Sequence, residues 1–123
     1  MERIKAYSAN QVSEAIARNR GLLLVHFGSP LASTCEFVRR ELELLAGEFE
    51  SRIVFAEVEL PLQDLELIHR YEIEDIPTLI LFRGDAEVER LDQVLAPEEL
   101  RDLLESSASF YSAAAEPESP TRL

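Results

Sequence analysis

The 123 residues are 46% hydrophobic and 29% charged, enough apolar material for one packed domain and too much for a disordered chain. Twelve Lys and Arg against 24 Asp and Glu leave a net charge of −12, a field that repels phosphate backbones and anionic lipid headgroups, so neither nucleic acid nor membrane is an expected partner. One cysteine, Cys35, and two histidines allow no internal disulfide and no recognisable ligand spacing, so neither a metal nor a cofactor is expected.

The N-terminal residues lack the apolar stretch of a secretory signal, and Leu22 to Phe27 is far too short to span a bilayer, so a cytoplasmic protein is expected. Ser8 and Gln11 stand at capping-box spacing and open a helix with Ala9, Val12, Ala15 and Ile16 on one face, ended by Gly21. Leu22 to Phe27 reads as a strand covered on both faces. After the loop Gly28-Ser29-Pro30, a long helix runs from Ser33 to Glu50 with Val38, Leu42, Leu45 and Phe49 at helical spacing. Ile53 to Glu59 is a second inner strand, stopped by Pro61. Asp64 to Tyr71 is a short helix with Leu65 and Ile68 inward, and His69 on its polar face reads as a surface residue. Thr78 to Phe82 is an apolar strand, and Arg83-Gly84-Asp85 turns into an amphipathic strand from Glu87 to Asp92. Pro97 opens a last helix with Leu100, Leu103 and Leu104 inward.

The predicted order α-β-α-β-α-β-β-α gives an α/β domain over residues 1–105, a mixed central sheet with helices on both faces. Residues 106–123, rich in Ser, Ala and Pro, read as a flexible tail whose Phe110 and Tyr111 could dock on the domain.

Val25-His26-Phe27 before a helix opened by Leu31-Ala32-Ser33-Thr34-Cys35, and Asp75-Ile76-Pro77-Thr78 before a strand, resemble thioredoxin. The resemblance runs from about Tyr7 to Glu105, without a gap from Val25 to Leu60 and with one extra residue near Pro61. It implies the thioredoxin fold, with Ile76-Pro77 as the family's cis-proline loop. At the family's Cys-x-x-Cys corner it places Ala32 at the first, attacking cysteine and Cys35 at the second. Leu31 stands for the family tryptophan, His26 for the buried acid beneath the motif and Gln93 for the groove glycine.

Thiol-disulfide exchange needs an exposed thiolate to attack and a second thiol to resolve the mixed disulfide. Ala32 supplies no sulfur, so dithiol oxidoreductase activity is not expected. Two readings of Cys35 stay open: a small core residue, or a monothiol forming mixed disulfides with His26 drawing off its proton. The resemblance further implies a peptide-binding groove of Leu31, Ala32, Ile76, Pro77, Thr78 and Gln93, which needs no cysteine. Glu72, Glu74, Asp75 and Asp92 stand near it, either a solvated face or an acidic rim selecting basic segments. The expected function is a redox-silent binder of protein segments: a chaperone, assembly factor or adaptor with a protein or peptide client. The alternative is a monothiol redox protein, and a third is a structural subunit. The sequence sets no oligomeric state.

Overall fold

The computed structural model describes residues 3–60 and 65–114. Its elements are β1 (Ile4–Tyr7), α1 (Ala9–Arg18), β2 (Leu22–Gly28), α2 (Ser33–Glu48), β3 (Ile53–Glu59), α3 (Leu65–Tyr71), β4 (Thr78–Arg83), β5 (Ala86–Leu91) and α4 (Pro97–Ala114). The sheet order is β1-β3-β2-β4-β5. β1, β3 and β2 run parallel, while β4 is antiparallel to both β2 and β5.

All seven residues of β2 are buried, as a central strand with helices on both faces requires. Alternation then sorts the core into two layers. Leu22, Leu24, Ile53, Phe55, Leu79 and Leu81 meet α2 and α4. Leu23, Val25, Phe27, Val58, Ile80 and Phe82 face the other way, with Val12 and Ile16 of α1 and Leu67 of α3. Gln11 Oε1 accepts the Ser8 N–H at 3.0 Å at the start of α1. Gly84 has φ +62° in the β4–β5 turn, a backbone region costly for a residue with a Cβ.

The structure changes four expectations. β1 was not predicted: four residues at a sheet edge, with only Ile4 buried, are too short for alternation to register. In α3 the buried side chain is Leu67, with Ile68 half-buried, because seven residues leave the helical phase ambiguous; the expected roles of Pro61 and Leu65 fall outside the described side chains. Leu103 is only half-buried, whereas Leu100 and Leu104 are fully inside.

The fourth change concerns the boundary expected after residue 105: α4 continues to Ala114, so residues 106–114 are helix. Ser107 and Ala108 are buried, Tyr111 packs against the α2-side core, and the Arg83 guanidinium lies 5.4 Å from the Tyr111 ring centre. Phe110 remains exposed. Residues 115–123 of the expected tail lie outside the described residues. Arg52 grips Glu105 in two hydrogen bonds of 2.9 Å, and Arg101 reaches Glu48 at 3.1 Å, so α4 is tied to the end of α2.

Candidate functional site

β2 ends at Gly28, and the chain turns through Ser29 to Ala32 before α2 begins. Ala32 is the N-cap residue of α2 and has no side-chain oxygen to offer its amides. Leu31 stands at the tip of this corner, 83% exposed. Cys35, one turn into the helix, is 6% exposed, and its Sγ accepts the Ser29 N–H at 3.4 Å.

His26 and Glu57 are register partners on β2 and β3, on the face toward α2. The Arg39 guanidinium of α2 meets the Glu57 carboxylate at 3.1 Å. Burial, reinforced by the Arg39 charge, holds the His26 pKa down at about 4, so the imidazole is neutral at pH 7. Its Nε2 has no hydrogen-bond partner. The contact with Cys35 that the monothiol reading invokes is therefore not made through this nitrogen. A hollow of roughly 180 Å³ opens here, lined by His26, Ala32, Cys35, Arg39 and Glu57.

Pro77 and Gln93 line a second, narrow hollow on another flank of α2, together with Val38, Glu41, Val94 and Leu100. The Ile76-Pro77 bond is cis. Ile76 is half-buried against the α1-side core. Thr78, expected in the groove, is 1% exposed and donates its hydroxyl to the Asp75 carbonyl; alternation with Leu79 turns it away from α2, so it offers no groove surface.

Glu72, Glu74, Asp75 and Asp92 are all exposed. The rim is not uniformly acidic, however, because Arg90 of β5 sits within it. Arg90 donates to the Tyr71 carbonyl at 2.6 Å, to the Glu72 carbonyl at 3.1 Å and to Glu87 at 2.7 Å. These bonds hold the chain where Glu72 takes φ 52°, an uncommon conformation for a residue with a Cβ. Sequence reasoning missed Arg90 because its backbone partners, the Tyr71 and Glu72 carbonyls, come near it only in the fold. It also missed Glu41, considered below. Among the described residues no three His, Cys, Asp or Glu side chains converge to hold a metal ion. No helix among them is long and apolar enough to cross a membrane.

The family model for thioredoxin matches residues 3–106. Glutaredoxin-3 of Bos taurus is 30% identical over 116 residues, covering 92% of this chain and 34% of that protein. Glutaredoxin-3 of Homo sapiens is 32% identical over 115 residues, covering 89% of this chain and 33% of the other. The chain thus spans about a third of the length of these relatives. A crystal structure of chloroplastic thioredoxin z superposes with a TM-score of 0.75 at 21% identity, covering 89% of this chain and 97% of that one, a likeness of fold.

Proposed function

The chain belongs to the thioredoxin family, and on that premise we propose that it binds extended protein segments beside the Pro77 loop without performing dithiol exchange. One observation carries the reading: Ala32 occupies the N-cap of α2, where the helix dipole and free amides would otherwise stabilise an attacking thiolate. Exposed Leu31 and Val94 supply the apolar surface that a bound segment would cover. The client is a protein or peptide, and the role is that of a chaperone, assembly factor or adaptor.

A second reading, a monothiol redox protein using Cys35, is favoured by the glutaredoxin-3 relatives. It requires a partner sulfur to reach a thiol that is 6% exposed. Two measurements separate the readings. Insulin reduction with a thioredoxin reductase and its electron donor should not exceed the protein-free control, and Cys35 should react with a thiol reagent far more slowly in the native than in the denatured protein. Equal labelling rates would favour the monothiol, and insulin turnover would refute the redox-silent reading.

A further inference from the structure

The inner stripe of α2 is apolar at Val38, Leu42 and Leu45, yet Glu41 beside it is only 9% exposed. Its Oε2 has no hydrogen-bond partner. Burial raises the Glu41 pKa, which is the response of a carboxyl group that has lost water and gained no cation. This side chain lines the narrow hollow shared with Pro77, Gln93 and Val94, whose free volume of roughly 10 Å³ is no more than one water needs, so a ligand group would meet the carboxylate at the mouth of the hollow and not inside it.

The surroundings are apolar and open. Phe37 and Leu44, one turn to either side of Glu41 on the same helix face, are 51% and 78% exposed, and Val94 across the hollow is 42% exposed. A buried acid with one unpartnered carboxylate oxygen, flanked along its helix and across the hollow by exposed apolar side chains, matches one occupant in both charge and polarity. We propose that Glu41 is the specificity-determining residue of the groove, receiving the cationic tip of a Lys or Arg in an extended client segment whose neighbouring apolar side chains lie on Phe37, Leu44 and Val94. This rests on the peptide-binding reading above and names its client class. The net charge of −12 favours the same client at longer range.

The test uses two fluorescein-labelled hexapeptide pools with apolar residues randomised around a fixed centre, arginine in one pool and neutral citrulline in the other. Anisotropy titration of the protein should show the arginine pool binding about tenfold or more tighter, the scale of a desolvated charge contact. Glu41→Gln should weaken the arginine pool and leave the citrulline pool unchanged. Equal affinities for the wild-type protein, as a hollow that merely holds water would give, overturn the inference and leave peptide binding standing. Discrimination that survives in Glu41→Gln does the same. Binding of neither pool overturns both readings. Should Glu41→Gln fail to fold, Glu41→Leu takes its place: loss of the arginine preference is expected, and its survival, as the net charge alone would give, overturns the inference.

Discussion

His26 Nε2 and Cys35 Sγ flank a single point beside Gly28: a Cβ placed on that glycine would lie 2.9 Å from the nitrogen and 3.2 Å from the sulfur. The last residue of β2 is thus small because the imidazole and the thiol both press on it. Both are buried, at 4% and 6% exposure. Gly28→Ala should lower stability by about 1–3 kcal/mol through overpacking, read as a fall in the urea midpoint. An unchanged midpoint would mean that the His26 ring moves freely, against its burial.

The depressed pKa of His26 makes stability depend on pH in a definite direction. Above pH 6.5 the imidazole is neutral folded or unfolded, and nothing is gained or lost. Between 6.5 and about 4 the unfolded chain takes up a proton that the folded one refuses, so stability falls as pH drops through that window and levels off below it. The loss amounts to roughly 3 kcal/mol. The groups sharing the hollow are Glu36 and Arg39 from α2 and Glu57 and Glu59 from β3. Subtracting the unfolding free energies of His26→Leu from those of the wild type at each pH removes their common contribution. A flat difference from pH 7 to 4 would refute the prediction.

Whether the scaffold for dithiol chemistry persists can be asked with Ala32→Cys. A sulfur at the N-cap of α2 would stand one turn before Cys35, near free amides that stabilise a thiolate. The variant should form an intramolecular disulfide under mild oxidation and gain weak dithiothreitol-driven insulin reduction. A folded variant that forms no such bond on non-reducing mass analysis would show that the two positions do not correspond to the family's cysteine pair.

Glu41 predicts a conflict between stability and binding. Its raised pKa means that the folded state disfavours the carboxylate, a penalty absent below the ordinary value of 4.5 and growing as pH rises above it. Glu41→Leu should therefore unfold at a higher temperature than the wild type at pH 7, with the gain shrinking toward pH 4. A Glu41→Leu protein less stable than wild type at pH 7 would show that the carboxylate is well solvated.

The inner elements were legible because periodicity and burial coincide in them. The apolar run of β2, the Val38-Leu42-Leu45 stripe of α2 and the β-branched residues of β3 admit one arrangement, and Ala32 and Cys35 fell where the α2 corner has them. The weaker elements depend on what lies across from them. β1 needs β3 beside it to be a strand at all. The Ser- and Ala-rich end of α4 stays helical where Ser107, Ala108 and Tyr111 find the core, a contact that composition does not encode.

By itself the sequence determined the hydrophobic order of the chain and the absence of a sulfur at Ala32, since both are properties of residues in a line. Only the tertiary structure decided which polar groups lose their water. Glu41 is buried because the segment carrying Gln93 and Val94 returns against α2, and Arg90 is occupied because the Tyr71 and Glu72 carbonyls come to it. Thr78 is withdrawn from the groove because its strand is covered on the face it points toward. Solvation of a charged or polar side chain depends on what folds over it from elsewhere in the chain, and no local pattern carries that information.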